Sequence, residues 1–457
     1  MPRLVTYSNL PCQGDRPAGR SRGVGGTAAA SQTYGMRVVA DVHLHSKYSR
    51  ATSRDMDVEN LARWCKLKGI TLVGTGDFTH PVWFREMRAK LKPTGRGLFT
   101  YDGMHFLLTV EVSNIYPQGG RLRKIHNVIL APSFEVVERI NAVLGRFGNL
   151  MADGRPTLSL PSDKLVEYVM ELSPNCLIIP AHVWTPWFSL YGSNSGFDSL
   201  EECFRDQSKH IVAVETGLSS DPSMNWRLSE LDRVMLVSNS DAHSPAKLGR
   251  EANVFELDDL DYGELVRILR EKDTARFLYT IEFFPEEGKY HFDGHRNCNQ
   301  RLSPKETKAL NGICPVCRRP LTVGVMHRVE LLADREEGYV PERAVPYRNL
   351  IPLEEIIAEA RGAQVGTSAV REEYLKLCRE FGGEFNVLLD VPLDDLARTA
   401  SPRTVEGLRR VREGQVVIKP GYDGVFGEIH IFEEASAPTA EEPAHPLEEA
   451  AAQIRLF

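Results

Sequence analysis

Apolar positions recur along the chain with two different periods, and the places where each period falls predict the elements. Short apolar runs appear at Arg37–Val42, Leu72–Gly76, Phe106–Val112, Val128–Leu130, Leu177–Ile179, Ile211–Val214 and Met235–Val237. Runs this short, bounded by polar residues, read as buried strands. Helical spacing lies between several of them. Val58, Leu61 and Cys65 share one face after the polar starters Asp55 and Asp57, and Val137, Ile140, Leu144 and Phe147 share another after Ser133. Seven strands with interleaved helices predict a parallel sheet, closed or nearly closed into an α/β barrel over residues 36–275.

Past the barrel, residues 276–340 are expected to form a small separate module and 341–432 an α+β domain. In that last domain Leu353–Ala360 and Val370–Phe381 have helical spacing and Phe385–Val391 reads as a strand. Gln415–Ile418 and Val425–Ile431 read as strands flanking the turn Pro420-Gly-Tyr-Asp-Gly424, which should approach a neighbour closely. The two ends have no period. Residues 1–35 are rich in Gly, Ala, Ser and Arg, so they are a flexible leader or translation starts at Met36. Residues 433–457 are expected to be a disordered Glu/Ala/Pro-rich tail.

Composition narrows the setting. With 42% hydrophobic and 26% charged residues, the chain has the balance of a soluble globular protein. No run approaches the roughly 18 apolar residues of a membrane span, and the first residues lack the apolar core of a signal peptide. No membrane partner is expected. Cys65, Cys176 and Cys203 lie in apolar periodic segments and Cys12 in the leader, which is no disulfide framework, so a reducing cytoplasm is expected. The net charge of −7 argues against a polyanionic partner only at first sight. Residues 431–457 hold six glutamates against one arginine and so carry −5 of it, leaving −2 on the rest. Within the rest, Arg85, Arg88, Lys90, Lys92 and Arg96 cluster, as do Arg121, Arg123 and Lys124, and Arg403, Arg409, Arg410 and Arg412. Such clusters can follow a phosphate backbone, although each one alone reads equally as a solvated face.

The candidate chemistry lies at the strand ends. The first strand runs into Asp41-Val-His43-Leu-His45, and the second reaches Asp77, with His80 three residues on. Glu111 sits near the end of the third, His182 follows the fifth, Glu215 ends the sixth, and Asp241-Ala-His243 follows the seventh. Those ends form the rim where a barrel of this kind collects its active site. His126 opens the fourth strand instead of ending it. A single His-x-His could arise by chance, but the recurrence points to a metal centre. Ligation by nitrogen and oxygen without thiolate suits zinc, manganese or iron, and a bridging carboxylate suits more than one ion. Two ions ~3.5–4 Å apart would polarise a phosphoryl group and generate hydroxide at neutral pH.

The order His-x-His, Asp, Glu, His, His, Asp-x-His resembles the polymerase and histidinol phosphatase (PHP) superfamily of phosphoesterases, whose fold is a distorted seven-stranded (β/α) barrel. That resemblance implies one ion held by His43, His45, Glu111 and Asp241, which would also form the catalytic set. It implies a second held by Glu111, His126 and His182, and a third held by His243 with Asp77 or His80. The chain departs from many members in reading Asp77-Phe78-Thr79-His80 where they have Asp-His, and in having Ala51 where they have a further ligand. Two or three divalent ions, of the zinc, manganese or magnesium class, are therefore expected.

At finer grain the stretches VHLHSKYSRATSRDMD, GTGDFTHP, PAHVWTPWFS, VETGLSSDPSMNWR, NSDAHSP, KYHFDGHRNC, ICPVC and PGYDGVFGEI are similar to the endonuclease Q family of DNA repair nucleases. The likeness covers about residues 37–430. It implies incision of DNA 5′ to deaminated bases (hypoxanthine, uracil, xanthine) and abasic sites, by a cytoplasmic, nucleoid-associated enzyme.

Three further features bear on that expectation. Trp83, Trp184 and Trp187 follow ligand positions, near Arg85, Arg88 and Arg121, and either stack on an unpaired base or form the rim core. His295-x2-Cys298-x15-Cys314-x2-Cys317 offers four ligands for one closed, structural zinc, with His291 as an alternative to His295. The chain ends Gln453-Ile-Arg-Leu456-Phe457, which resembles the bacterial sliding-clamp-binding peptide, so a clamp is an expected partner. Two other readings remain: a small-molecule phosphatase of the same superfamily, and a non-catalytic clamp-tethered scaffold on DNA.

Overall fold

The structure, a computed structural model, describes residues 35–432. The expected leader and tail, including Gln453, Leu456 and Phe457, lie outside these residues.

The barrel is built around β1 (Met36–Asp41), whose inner residues are completely buried. On one side β1 pairs in parallel with β2 (Leu72–Gly74), and β2 in parallel with β3 (Met104–Gln118), in the registers Ala40↔Leu72 and Gly74↔Leu107. β3 continues into β4 (Arg121–Ala131), and β4 pairs with β5 (Leu177–Pro180), both antiparallel. β6 (Ala213–Glu215) and β7 (Met235–Val237) form a separate parallel pair. On the far side of β1, β8 (Ala252–Leu257) and β9 (Phe277–Glu282) add antiparallel strands.

Seven strands correspond to the expected apolar runs, but the sheet is mixed and not uniformly parallel. The reason is the β3–β4 connection. It is a tight turn through Gly119 and Gly120, with φ of 60° and 74°, so no crossover helix intervenes and the second strand must run back. That reversal explains His126: on a strand running the other way, its opening residues lie at the rim where the parallel strands end. β8 and β9 escaped the sequence reading altogether. β9 is hydrogen-bonded into the barrel sheet although it falls within residues 276–340.

Where the ladder is interrupted, loops and asparagines span the gap. Val183 N–H donates to the Glu215 carbonyl at 3.0 Å, between β5 and β6. Asn253 on β8 accepts from Ser238 N–H at 2.9 Å and donates to the Ser238 carbonyl at 2.6 Å, joining β7 to β8. Asn239 accepts from Val42 N–H at 2.9 Å. These buried amides satisfy backbone groups that a regular ladder would have paired, which is what allows the barrel to be distorted without orphaned donors.

The helices bear out the spacing argument. Val58–Lys68 begins at Asp57, whose carboxylate accepts Asn60 N–H, and buries Val58, Leu61 and Cys65. Phe134–Leu144 begins at Ser133 and buries Val137, Ile140 and Leu144, but it ends at Gly145, so Phe147, expected on the same face, lies beyond it. Beyond residue 350 the chain is mostly helical, with helices Leu353–Arg361, Ser368–Glu380, Glu384–Leu389 and Pro402–Arg412. The expected strand Phe385–Val391 is thus a short helix. Its apolar run was too short for its period to separate the two. Strands Val417–Lys419 and Glu428–His430 pair as an antiparallel ribbon.

One buried ion pair fastens this helical unit to the barrel. Lys68, at the end of the first barrel helix, donates to Glu384 at 2.8 Å, and both side chains are buried. The same carboxylate accepts the Tyr374 hydroxyl at 2.8 Å and Leu353 N–H at 3.0 Å. Glu384→Ala strands a buried ammonium, a hydroxyl and a backbone donor together, and should destabilise the chain by about 3 kcal/mol. Denaturant unfolding checks this; a change below about 1 kcal/mol would mean the pair is no more than a surface contact.

Candidate metal centre

The rim residues converge in two groups that share one carboxylate. His43 and His45 leave β1 as it ends and Glu111 projects from β3, while Asp241 follows β7; one ligand atom from each lies within 4.8 Å of the others. Glu111, His126 and His182 form a second such group. The two oxygens of Glu111 divide between them. Oε2 lies 3.2 Å from His45 Nε2 and 3.7 Å from His43 Nε2, and Oε1 lies 2.7 Å from His126 Nδ1 and 3.0 Å from His182 Nε2.

The histidines are oriented from behind. His43 Nδ1 lies 2.9 and 3.0 Å from the two oxygens of Glu215, and His45 Nδ1 lies 3.1 Å from Asp77 Oδ1. Each carboxylate fixes the tautomer and aims Nε2 inward. The inward atoms are then left over: His43 Nε2, His45 Nε2 and Asp241 Oδ1 are buried without a hydrogen-bond partner. In the second group His126 Nδ1 and His182 Nε2 sit 3.3 Å apart, so two imidazole nitrogens face one another across a carboxylate. Buried donors of this chemistry, unpartnered in the first group and facing one another in the second, would suit one divalent cation in each group.

The charge states of the two groups differ: burial would lower the His43 and His45 imidazoles, but the carboxylates of Glu215, Glu111 and Asp77 beside them push both well up. Burial would raise the Glu111 carboxyl, but a hydrogen bond with His126 and the positive charges of Arg155 and His43 hold it well below the usual range. Burial pushes the His126 imidazole down to about 3, leaving it neutral as a ligand must be. Asp77, His182 and Asp241 all have positive φ (51°, 31° and 47°), a conformation uncommon for non-glycine residues.

The expected third site is not gathered into a ligand group among the described residues. Asp77 is committed elsewhere: besides His45 it accepts Ser46 N–H at 2.6 Å and the hydroxyls of Ser46 and Ser49 at 2.7 and 2.9 Å. It therefore positions His45. His80 stacks on Tyr48 with ring centroids 4.5 Å apart. His243 donates from Nδ1 to the Asp241 carbonyl at 2.9 Å, with its ring 4.5 Å from that of His45.

Two residues that the sequence reading did not assign belong to the site. Glu215 was noted at a strand end but given no role; besides orienting His43 it accepts His182 N–H and the Asn239 amide, both at 2.9 Å. Arg155 was missed. Its guanidinium reaches Glu111 Oε2 at 3.1 Å from a loop after the third helix, and its side chain is 15% exposed. No strand end marks that loop, so only the fold identifies it.

The aromatic reading needs correction. Trp83 is fully buried inside the helix Pro81–Lys90 and donates to the Gly76 carbonyl at 3.0 Å. Trp184 is also buried, donating to Asn225 at 2.8 Å and stacking on Tyr191. Both are rim core and neither can stack on a base. Trp187 is 40% exposed. Arg85 and Arg121 are exposed, whereas Arg88 is paired with Glu138. In the C-terminal basic run, Arg409 and Arg410 pair with Glu406, and Arg412 donates to the carbonyls of Val387, Leu388 and Val391.

A second cluster lies apart. His295, Cys298, Cys314 and Cys317 converge within 4.8 Å, with His295 Nδ1 3.4 Å from Cys317 Sγ. Although burial pushes the Cys314 thiol up, the N–H groups of Cys317 and Val316 bring it down to about 7, towards the thiolate that a metal needs. The choice between histidines is also resolved: His291 lies outside the group, with Nδ1 buried and unpartnered.

The chain is similar to the lesion-specific endonuclease PfuEndoQ of Pyrococcus furiosus, at 34% identity and a TM-score of 0.79, covering 87% of this chain and 96% of that one. It is equally similar to endonuclease Q solved with a 27-mer duplex substrate carrying an abasic lesion at the active site (34% identity, TM-score 0.76, 87% and 97% covered). The uncharacterized protein YqxK of Bacillus subtilis is 30% identical over 412 residues, 86% of this chain and 99% of that protein. The uncharacterized protein MJ0043 of Methanocaldococcus jannaschii is 34% identical over 252 residues, which span 54% of this chain but only 31% of that longer protein. The MJ0043 C-terminal domain family matches residues 352–415.

The two ligand sets predict separable metal losses. Glu111→Ala removes the shared ligand and should empty both barrel positions while one zinc per chain remains. Cys314→Ser should lose that zinc and leave the barrel ions in place. Elemental analysis of the purified variants reads both; a Glu111→Ala protein with an unchanged metal count would remove Glu111 from the centre.

Proposed function

The chain belongs to the endonuclease Q family, and on that premise we propose that it is a repair endonuclease that hydrolyses DNA 5′ to abasic sites and to deaminated bases (hypoxanthine, uracil and xanthine). The observation that carries this reading is the pair of ligand groups bridged by Glu111 at the barrel rim. Two divalent cations held there would lower the pKa of a bound water and polarise a phosphoryl oxygen.

The chain's own residues define how a phosphodiester approaches. Most ligand side chains are closed to solvent, but Asp241 is 23% exposed, with His243 and Arg155 at 15%. Substrate therefore enters past Asp241. Arg155 stands there with its guanidinium directed at the centre, ready to stabilise negative charge developing on a non-bridging phosphate oxygen. Trp187, exposed in the loop after His182, adds an aromatic surface for a polymer with stacked bases. No described helix is long and apolar enough to cross a membrane, and a cytoplasmic, nucleoid-associated setting belongs to the same proposal. So does a sliding clamp as partner, which rests on the Gln453-x-x-Leu456-Phe457 pattern alone.

Incision of end-labelled duplexes containing one abasic site, deoxyuridine, deoxyinosine or deoxyxanthosine tests the reading. Cleavage should fall 5′ to the lesion, depend on divalent metal and vanish in Asp241→Ala with DNA binding retained. Hydrolysis of small phosphomonoesters without duplex incision would replace the reading with the phosphatase alternative. Arg155→Ala should lower kcat by about 10²–10³-fold with little change in KM, as loss of a charge-stabilising donor does; an unchanged kcat would reduce Arg155 to a structural role. Leu456→Ala with Phe457→Ala should abolish clamp capture in a pull-down and leave short-oligonucleotide incision intact; undiminished capture removes the clamp from the proposal.

A further inference from the structure

The turn Tyr422-Asp423-Gly424-Val425 is closed on itself, with Tyr422 and Val425 exchanging backbone hydrogen bonds of 3.0 and 2.8 Å. Asp423 and Gly424 both have positive φ (43° and 84°), the geometry that makes a two-residue turn tight and preorganised. Neighbours pin it on every side. Gly424 N–H donates to the Lys289 carbonyl at 2.9 Å, Arg296 N–H to Asp423 at 2.7 Å, and the Tyr422 hydroxyl to Asn299 at 2.9 Å. Gly421 and Gly427 donate to the Glu286 and Glu287 carbonyls at 2.7 and 3.0 Å. A Cβ at Gly427 would sit 2.0 Å from the Glu286 oxygen, so only glycine lets the backbone lie this close.

What this anchored turn presents is apolar. Val425 is 39% exposed and Phe426 55%, with the Lys289 ammonium 5.7 Å from the Phe426 ring. The turn is mounted on the metal rim. β9 runs in the same direction as β1, because each is antiparallel to β8, so the segment Pro285–Gly288 that follows β9 emerges where His43 and His45 do. Burial and the neighbouring carboxylates of Glu355 and Glu286 push the Glu287 carboxyl up to about 8, against the pull of Lys247 and Arg250 nearby. Arg250 in turn donates to the Ser240 carbonyl at 2.8 Å, next to Asp241.

An aromatic–aliphatic pair left this exposed on a rigid turn beside Lys289 buries little of its apolar surface on folding. We propose that Val425 and Phe426 are the wedge that enters the DNA stack beside the lesion and fills the space the damaged nucleotide leaves. This rests on the endonuclease reading above. The physics is that of minor-groove wedges: an apolar side chain inserted between base steps replaces lost stacking, and a preorganised backbone spends no ordering entropy on it. Lys289 supplies charge for the adjoining phosphates.

The test uses the full chain carrying Asp241→Ala, so that DNA stays intact, and a duplex with 2-aminopurine opposite an abasic site. With Phe426 present, binding should change the 2-aminopurine fluorescence several-fold; Phe426→Ala should abolish the change and Phe426→Trp preserve it. In the incision-competent chain, Phe426→Ala should weaken duplex incision by about tenfold, the worth of one base–aromatic stack, while zinc content stays at one per chain. If Phe426→Ala leaves both signals as they were while the chain with Phe426 incises normally, the wedge is wrong and the endonuclease reading stands. If the unsubstituted chain neither incises nor perturbs the fluorescence, both fall together.

Discussion

The rest of the site is arranged around one buried carboxylate. Glu111 is 1% exposed and meets His43, His45, His126, His182 and Arg155. An ionised carboxylate in such a place is costly unless positive charge surrounds it. Arg155 supplies one charge, and the His43 and His45 imidazoles, pushed well up against the cost of burial by the carboxylates of Glu215, Glu111 and Asp77, supply more. Divalent cations in the two groups would take over that role, and metal affinity would then help to hold the rim in shape. The barrel has to deliver residues from distant parts of the chain to this one point, which constrains where every strand ends.

That constraint accounts for the irregular topology. A uniformly parallel sheet would place the start of the fourth strand at the opposite face, away from Glu111. With β4 reversed, His126 sits on the rim, and the 2.7 Å contact to Glu111 becomes possible. The interruptions on either side of β6 and β7 bring Glu215 close enough to hold both the His43 ring and the backbone of His182. The asparagine clamps at 239 and 253 are the consequence, since a ladder broken for the site must be satisfied by other groups.

Sequence carried the parts of this that depend on local order. Strand ends recur with His or a carboxylate because the rim is where strands end, so His43, His45, Glu111, His182 and Asp241 could be read without coordinates. The zinc quartet was legible for a similar reason: two knuckles with fixed spacing are a local signature, and only the choice of His295 over His291 needed the fold. What failed depended on direction. Trp83 lies after a ligand position, yet it points into the core because it sits on the inner face of a helix. The third ion expected at Asp77 or His80 with His243 stays an expectation: three neighbouring donors meet Asp77, while His80 stacks on Tyr48 with its Nδ1 buried and unpartnered. Arg155 enters from a loop with no periodic mark, and its role exists only through its distance to Glu111.

The cysteine module shows how the second metal cluster bears on the first. Its helix Val325–Leu332 is joined to the barrel by directed polar contacts. Arg328 donates to the Tyr191 and Phe197 carbonyls at 2.9 and 3.0 Å, and Arg227 pairs with Glu330 at 2.6 Å with little exposure on either side. Tyr191 and Phe197 belong to the segment that follows His182 and carries Trp187 and Phe188. Phe188 packs on His126 with ring centroids 4.7 Å apart and accepts the His126 N–H at 2.9 Å. A continuous set of contacts thus runs from the module to a ligand of the barrel centre. Charge-assisted hydrogen bonds to carbonyls are stronger and more directional than apolar packing, so they transmit position as well as stability. A zinc that fixes the His295–Cys317 knuckles fixes the frame from which these arginines reach. A metal held there would do for the loop after His182 what Glu215 and Asp77 do for the histidines: hold it in one geometry.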